Sequence, residues 1–327
     1  MSQSNSTPYS TLDPQLILDA IDDAGFRCNG SLFALNSYEN RVYQVGIEDS
    51  APLIAKFYRP HRWSDDAILE EHQFALELSE REIPVVPPII LNSGSTLHHY
   101  QDFRLALFTR QSGRALELDN LEQLEWMGRF IGRIHAIGSL SSFQHRQTLS
   151  LKTFGENSYR FLIENNFIPD SLLNNFSALM KIVFEKIQQT FQNVGEIKSI
   201  RLHGDFHPGN ILWNDNGPWI VDLDDCLSGP AMQDLWMMLS GDNEQMTIQL
   251  NRILCGYQEF CDFNWHELKL AESLRALRMI RYAAWLAQRW EDPAFPLNFP
   301  WFNTMHYWQQ LMRDLQEQVG LLDEMYS

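Results

Sequence analysis

The chain contains few cysteines, and their spacing does not suit a metal. The four cysteines lie at positions 28, 226, 255 and 261, with no C-x-x-C spacing and no paired Cys/His cluster. Structural zinc sites are built from such spacings, so we do not expect a zinc finger. Unpaired cysteines of this kind predict reduced thiols in a cytoplasmic protein.

Cationic charge is also scarce. The 42 Asp and Glu residues outnumber the 25 Lys and Arg residues, which gives a formal charge of −17. A surface this acidic repels the phosphates of nucleic acids and of anionic membranes, so we expect neither as a partner. The negative charge is more compatible with a neutral or cationic substrate.

Long apolar segments are missing as well. No run approaches the roughly 18–20 apolar residues of a membrane-spanning helix, and residues 1–10 lack the basic and apolar regions of a secretory signal. Hydrophobic residues make up 44% and charged residues 20%, an ordinary globular composition. A chain of 327 residues is long for one core, so we expect two lobes, with a monomer as the working expectation.

The order of the predicted elements divides the chain near residue 110. Alternating or apolar stretches predict strands at residues 32–35, 41–47, 53–57, 89–91 and 103–108. One amphipathic helix, at 65–80, lies among them, whereas the sequence beyond residue 113 is mostly helical and is interrupted at 200–225. The pattern predicts an α+β fold with a small, sheet-rich nucleotide-binding lobe over 1–110 and a larger, mainly helical lobe over 111–327.

The interruption at 200–225 carries the chemistry. Its loop, H-G-D-F-H-P-G-N, places Asp205 and Asn210 five positions apart, and a predicted hairpin then leads to Asp222. Phosphoryl transfer needs one carboxylate to orient the attacking hydroxyl, and a second carboxylate and an amide oxygen to hold magnesium against the phosphates of ATP. The H-R-D-x-x-x-x-N loop of protein kinases has the same spacing. We therefore predict Asp205 as the catalytic base and Asn210 as a metal ligand.

Two points stay open at this motif. His203, Asp205 and His207 are spaced so that an extended strand would direct them at one zinc ion, although the glycine and proline between and after them disfavour a strand. A strand over 219–225 would also place Asp222 and Asp224 on one face and the next aspartate on the other. Spacing alone therefore leaves either carboxylate as the second metal ligand.

The first lobe should supply a lysine for the phosphates. Lys56 follows Leu-Ile-Ala, where the lysine of V-A-I-K stands in kinases. Its partner would be a core-facing carboxylate on the next helix, either Glu71, which shares a face with Phe74, or the alternative Glu70. The turn between the first two strands contains no glycine, and there the hydroxyl of Ser37 could face a phosphate.

These motifs resemble those of the aminoglycoside phosphotransferase and choline kinase group of the kinase-like superfamily. Within that group, L-N-S-Y-E-N-R-V-Y, H-G-D-x-H-x-G-N-I-L-W and V-D-L-D-D followed by Q-D-L-W are similar to the bacterial stress response kinases, which are Ser/Thr protein kinases. The resemblance extends from about residue 31 to the C-terminal helices. It implies a two-lobed protein-kinase-like fold and a phosphotransferase that uses ATP and Mg²⁺.

The resemblance also implies roles for individual residues. Asp205 would be the catalytic base, Asn210 and Asp222 the magnesium ligands, with Asp222 counted as catalytic through the metal. Asp234 would brace the catalytic loop, although capping or packing of its own helix is an alternative. The residues implied at the nucleotide are Ser37 and Lys56, and Glu71 is added to them as the predicted partner of the lysine.

The sequence leaves three functions open, which differ in whether a phosphoryl group is transferred and to which acceptor. The resemblance favours a Ser/Thr hydroxyl of a protein, and the wider group allows a small alcohol such as an aminoglycoside, choline or homoserine. A pseudokinase-like module would bind nucleotide without transfer, which the intact Asp205, Asn210 and Asp222 disfavour. The sequence also departs from protein kinases, because it lacks a glycine-rich loop, an arginine before Asp205 and an A-P-E segment.

Overall fold

A computed structural model describes residues 8–324 of the protein. The chain forms two compact units, and neither is one continuous segment. The first unit comprises the segment ending at Leu124, Phe143–Arg146 and Asp205–Cys226. The second comprises Glu125–Ser142, Gln147–Gly204 and the segment from Leu227 onwards. These units cut the chain differently from the predicted lobes over 1–110 and 111–327, and the lobe boundary stays a prediction.

Strands dominate the early part of the chain and helices the later part. In chain order the strands are β1 (Cys28–Ala34), β2 (Arg41–Ile47), β3 (Leu53–Phe57), β4 (His98–Tyr100), β5 (Phe103–Thr109), β6 (Arg114–Ala115), β7 (Ile200–Leu202), β8 (Ile211–Asn214), β9 (Gly217–Ile220) and β10 (Leu227–Gly229). The α-helices are α1 (Pro14–Asp23), α2 (Asp65–Glu80), α3 (Leu121–Gly138), α4 (Asn157–Glu164), α5 (Asp170–Val194), α6 (Met232–Trp236), α7 (Asn243–Tyr257), α8 (Ala271–Gln288), α9 (Ala294–Asn298) and α10 (Met305–Glu324). Within residues 8–324, no helix combines the length and apolar character needed to cross a membrane.

An antiparallel sheet in the order β1-β2-β3-β5-β4 forms the core of the first unit. Lys56 lies on the central strand β3, opposite Val42 of β2 and Ala106 of β5. Because side chains alternate along a strand, Ala55 and Phe57 face away from Lys56, and both lie in the apolar core. The centre of this sheet therefore holds the lysine in a fixed, buried position.

Two helices of the same unit begin at side-chain caps. Asp13 accepts a hydrogen bond from the first turn of α1, and Ser64 does the same for α2. The bounds of α2 are those predicted for the helix at 65–80. This helix buries Glu71 on the same face as its apolar residues, which brings a carboxylate into the core of the unit.

A small sheet in the order β6-β8-β9 completes the first unit. Strand β9 begins at Gly217, whose φ of +107° lies in the region that L side chains rarely adopt. A 3₁₀ turn at Pro208–Asn210 comes before this hairpin and another at Leu223–Asp225 follows it. One turn therefore carries Asn210 just before the hairpin, and the other begins directly after Asp222.

In the second unit, α3 and α7 approach each other through glycines. A Cβ at Gly128 would lie 2.0 Å from the carbonyl oxygen of Ile253, and one at Gly256 would lie 2.1 Å from that of Glu125. Gly132 repeats the contact one turn later on α3, at 2.5 Å. The two helices therefore contact backbone to backbone, with no room for a side chain.

The predicted strand at 89–91 is wrong. Pro87 and Pro88 precede it, and proline cannot donate to a strand ladder. The segment instead makes a single bridge between Pro88 and Phe108 and one hydrogen bond from Ile89 N to Leu107 O (2.7 Å). The strand that pairs with the edge of β5 is β4, whose His-His-Tyr sequence has no alternation to reveal it.

Candidate active site

The loop between β7 and β8 carries the predicted base and one predicted metal ligand. The carbonyl oxygen of Asp205 accepts hydrogen bonds from the backbone N–H of His207 and from Nδ2 of Asn210, both at 2.9 Å. The second bond turns the nitrogen of the Asn210 amide towards the loop, so that its oxygen is the end suited to a cation. His203, Asp205 and His207 lie on irregular backbone, not on the extended strand that a zinc site of this spacing needs.

The carboxylate of Asp205 is partly accessible. Its side chain is 25% exposed, and Oδ2 lies 3.4 Å from Nε2 of His207. A carboxylate held in a loop that is fixed by backbone hydrogen bonds can accept the proton of a hydroxyl without first reorganising. The neighbouring His207 was considered from sequence only as a zinc ligand.

The hairpin brings Asp222 to the loop. Ile211 pairs with Ile220, and Val221 N then donates to Asn210 O at 3.0 Å, so Asn210 lies opposite the residue that precedes Asp222. Asp222 itself adopts φ 62° and ψ 65°, a left-handed conformation that is uncommon outside glycine. Its side chain is 55% exposed.

This conformation corrects one sequence-based interpretation. The strand predicted over 219–225 ends at Ile220, because the left-handed Asp222 turns the chain into the 3₁₀ turn Leu223–Asp225. Period-two alternation therefore does not apply, and Asp225 does not simply point away from the others. Its Oδ1 accepts a hydrogen bond from Arg62 at 2.6 Å.

Lys56 lies among three carboxylates. Its Nζ is 3.1 Å from Asp222 Oδ1, 3.2 Å from Asp224 Oδ1 and 3.4 Å from Glu71 Oε1. Burial disfavours the charged amine, but the carboxylates outweigh that penalty and raise the pKa of Lys56 well above its usual value. The lysine is therefore a fixed positive charge beside the hairpin.

The two neighbouring glutamates of α2 have different partners. Glu71 contacts Lys56, and burial raises its pKa to about 7, against the opposing effect of the lysine. Glu70 instead accepts hydrogen bonds from the backbone N–H groups of Gln144, His145 and Arg146, at 2.6, 2.7 and 3.0 Å. Glu71 is therefore the partner of Lys56, and Glu70 instead anchors the segment 143–146.

Asp224 is buried under cations that were not singled out from the sequence. Arg62 donates to Asp224 Oδ2, Asn40 Nδ2 lies 3.2 Å from the same oxygen, and Arg146 donates to the backbone carbonyl of Asp224. Burial alone would raise the pKa of Asp224, but Arg62 and Lys56 hold it well below its usual range. Charge balance is the signal that could have found these residues, because a D-L-D-D run that buries one of its carboxylates requires cations.

The turn between β1 and β2 is tied down at its C-terminal end. Arg59 donates from Nε to Glu39 O and from its backbone N–H to Asn40 Oδ1, both at 3.0 Å. Ser37 lies in the same turn and is half-buried. In the described part of the chain, no hydrogen bond joins the Ser37 hydroxyl to Lys56 or to the carboxylates, so contacts do not bring this predicted residue into the cluster.

In the second unit, Asp234 of α6 holds the start of the loop that follows β7. Its fully buried carboxylate accepts hydrogen bonds from the backbone N–H groups of His203 (3.0 Å) and Gly204 (2.8 Å). Gln233 Nε2 adds a bond to Gly204 O at 3.0 Å, and His135 Nε2 lies 3.1 Å from Asp234 Oδ2. These contacts give Asp234 a bracing geometry, and helix α6 has no side-chain cap.

The donor set suits a hard divalent cation. Mg²⁺ prefers oxygen ligands and keeps positions for water and substrate phosphates, so a protein supplies only one or two of them. Asn210 offers an amide oxygen, and Asp222, which follows the residue bonded to the backbone of Asn210, offers a half-exposed carboxylate. Among residues 8–324, no group of three or more His, Cys, Asp or Glu residues is arranged so that it could hold a metal ion.

These features define a class of protein. A buried strand lysine paired with a helix glutamate, an Asp-x₄-Asn loop and a carboxylate at the end of the following hairpin form the site of a phosphotransferase with a kinase-like fold. The comparisons agree with this class. The chain matches the model of the phosphotransferase enzyme family over residues 33–271, and it belongs to that family.

Relatives and solved structures support the same assignment. The chain is 45% identical over 317 residues to stress response kinase A of Escherichia coli O157:H7, which covers 97% of this chain and 95% of the relative. It is 42% identical over 320 residues to the serine/threonine protein kinase RdoA of Salmonella typhimurium, covering 98% and 96%. Amicoumacin kinase, solved with AMP-PNP, Ca²⁺ and Ami, has the same fold, with a TM-score of 0.72, 19% identity and 94% of each chain covered. The kinase-like fold and the phosphotransferase class predicted from sequence are confirmed.

Proposed function

We propose that this chain is an ATP- and magnesium-dependent kinase that phosphorylates Ser or Thr hydroxyls of proteins. The observation that supports the proposal most strongly is the convergence of Lys56 with Glu71, Asp222 and Asp224 within 3.4 Å. A triphosphate requires a fixed positive charge, which Lys56 supplies. The metal ion bound to the triphosphate requires an accessible carboxylate, which Asp222 supplies. They come from β3, α2 and the end of the hairpin, three separate segments that the fold of the first unit joins.

Each residue has a role in the proposed transfer. Lys56 would bind phosphate oxygens, and Glu71 would hold the amine in position from its buried place on α2. Asp205 would orient the acceptor hydroxyl and take its proton as the new P–O bond forms. Magnesium, held by Asn210 and Asp222, would neutralise charge on the phosphates. Positioning and charge stabilisation would supply most of the acceleration.

The acceptor is the least constrained part of the proposal. The relatives named stress response kinase A and serine/threonine protein kinase RdoA support a protein hydroxyl. A small alcohol is the second candidate, because a protein of the same fold is a kinase of amicoumacin. The complete set of Asp205, Asn210 and Asp222 argues against a module that only binds nucleotide. We also propose that residues 1–110 bind the nucleotide and that residues 111–327 bind the acceptor.

Labelling with γ-labelled ATP tests the acceptor class. The protein is incubated with Mg²⁺, a generic Ser-rich protein and, in parallel, a panel of aminoglycosides, choline and homoserine. We expect label in the chain itself or in the Ser-rich protein, and none of that label with the Asp205→Asn variant. Efficient labelling of a small alcohol with no label in any protein would move the assignment to the second candidate.

A further inference from the structure

A single arginine bridges the two carboxylates that follow Asp222. Arg62 donates from one end of its guanidinium to Asp224 Oδ2 and from the other to Asp225 Oδ1, the latter at 2.6 Å. Its Nε lies 3.6 Å from Glu39 Oε1, and its side chain is 9% exposed. The guanidinium is therefore buried at the point where the D-L-D-D segment and the turn between β1 and β2 meet.

The position of this guanidinium is one that a second cation could take. One oxygen of Asp224 and one of Asp225 contact the same guanidinium, and carboxylate oxygens are the ligands that a hard divalent ion prefers. Asp224 Oδ2 also lies 3.2 Å from Asn40 Nδ2, and Asp224 Oδ1 lies 3.2 Å from Lys56. Both oxygens of Asp224 thus face positive or donating groups of the protein itself, whereas Asp222 is 55% exposed.

We propose that Arg62 stands in for a second divalent cation and so determines which aspartates bind metal. Its guanidinium keeps Asp224 and Asp225 from metal, and the site then takes its cation through Asn210 and Asp222. Arg62 is thus a positioning residue for the metal site. The inference rests on the proposed ATP- and metal-dependent function, because it concerns the cation of that same site.

Counting bound Mn²⁺ by electron paramagnetic resonance tests this inference without measuring turnover. The count is made at saturating AMP-PNP for the full chain, for Arg62→Met, for Arg62→Lys and for the double variant Arg62→Met/Asp224→Asn. We expect Arg62→Met to bind one more Mn²⁺ per chain than the unchanged protein. Arg62→Lys, which keeps the positive charge, should not gain it, and the double variant should lose it again.

Further variants keep the test decisive if Arg62→Met does not fold. Asp224→Asn, in a chain that retains Arg62, should keep the Mn²⁺ count of the unchanged protein, and the loss of one Mn²⁺ would overturn the inference. Equal counts in folded Arg62→Met and the unchanged protein would overturn it too. Asp222→Asn distinguishes a failure of the proposed metal site from a failure of the role proposed for Arg62. If Asp222→Asn binds as many Mn²⁺ ions as the unchanged protein, the metal site of the proposed function is wrong. If it binds one fewer, that site stands, and the counts of the Arg62 variants decide the role of Arg62.

Discussion

The aspartates on either side of Leu223 have opposite environments although they are two residues apart. The side chain of Asp222 is 55% exposed and that of Asp224 is 5% exposed, and both contact Lys56. A buried charge that loses its partner is strongly destabilising, whereas a half-exposed one is solvated by water. On the proposed roles, metal binding would therefore rest on Asp222 and the stability of the site on Asp224.

Asp205→Asn should abolish transfer while leaving ATP binding largely intact. The base acts on the acceptor hydroxyl, and an amide of the same shape keeps the hydrogen bonds of the loop backbone. Loss of a positioned base lowers the rate by about 10²–10⁴-fold. Turnover and nucleotide affinity are measured in parallel, and turnover near that of the unchanged protein would contradict the role given to Asp205.

Asp222→Ala should remove most of the magnesium-dependent ATP affinity with little change in the free energy of unfolding. Asp224→Ala should do the reverse, because it leaves Arg62 and Lys56 without their buried partner. Breaking a buried ion pair costs about 3–5 kcal/mol. Calorimetric titration with magnesium and ATP, combined with urea denaturation, separates the two effects. If folded Asp224→Ala loses more affinity than Asp222→Ala, the metal ligand has been assigned to the wrong aspartate.

At the scale of elements, the turn between β1 and β2 lacks glycine and is held instead by side-chain hydrogen bonds. Arg59 holds the backbone and side chain of its last residues, and Asn40 reaches Asp224. A turn without glycine cannot bring its backbone N–H groups as close to a phosphate. A side-chain hydroxyl should therefore contribute more in this chain than in a kinase with a glycine-rich loop.

Ser37→Ala should accordingly weaken ATP use. A hydrogen bond to a charged group contributes roughly 1.5–3 kcal/mol, which corresponds to about tenfold or more in the KM for ATP. Ser31→Ala, at an exposed position of β1, is the matched control and should leave the KM unchanged. An unchanged KM in Ser37→Ala would mean that the turn serves only to connect two strands.

The contact between α3 and α7 yields a prediction about stability. Gly128→Ala would place a methyl group 2.0 Å from a backbone oxygen of α7, so the helices must separate. Overpacking of this kind costs about 1–3 kcal/mol, and rigid backbone on both sides favours the upper end. Gly320→Ala on α10 meets nothing within 4 Å and should stabilise the protein by up to ~1 kcal/mol, because alanine is the better helix former. Thermal unfolding of both variants checks the two opposite signs.

The sequence predicted those features that depend on local pattern. The helix at 65–80 and the strands β2 and β3 have apolar periodicity and were placed with their observed bounds. The end of the hairpin could not be predicted, because the left-handed Asp222 is stabilised by Lys56, which is distant in sequence. Arg62 and Arg146 were missed for the same reason. A buried arginine is identified by its partners, and those partners are brought to it only by the fold.

At the scale of the whole molecule, the net charge of −17 acts on any charged acceptor. Several cations nearest the candidate site are already paired with carboxylates, so they do little to reverse the field at a distance. Such a field attracts cationic partners and repels anionic ones over about one Debye length, roughly 8 Å at 0.15 M salt. The acidity of the chain therefore bears on which charged acceptors it attracts.

Two Ser-containing peptides that differ only in their flanking charge test this effect. At low salt we expect the peptide with flanking lysines to be phosphorylated several times faster than the peptide with flanking glutamates. The difference should shrink at 1 M salt, where the Debye length falls to about 3 Å. Equal rates at low salt would show that acceptor choice is set by contacts alone.

Residues 205–226 belong to the first unit although most of that unit precedes them by more than eighty positions. During synthesis from the N-terminus, Lys56 and Arg62 therefore emerge long before Asp222, Asp224 and Asp225. Until then the sheet has buried cations without these carboxylates, and such charges oppose burial. We expect nascent chains released before residue 226 to remain sensitive to protease within residues 28–109, and protection to appear abruptly once the hairpin has been added. The order of synthesis thus delays completion of the first unit until residue 226, although most of that unit is made by residue 124.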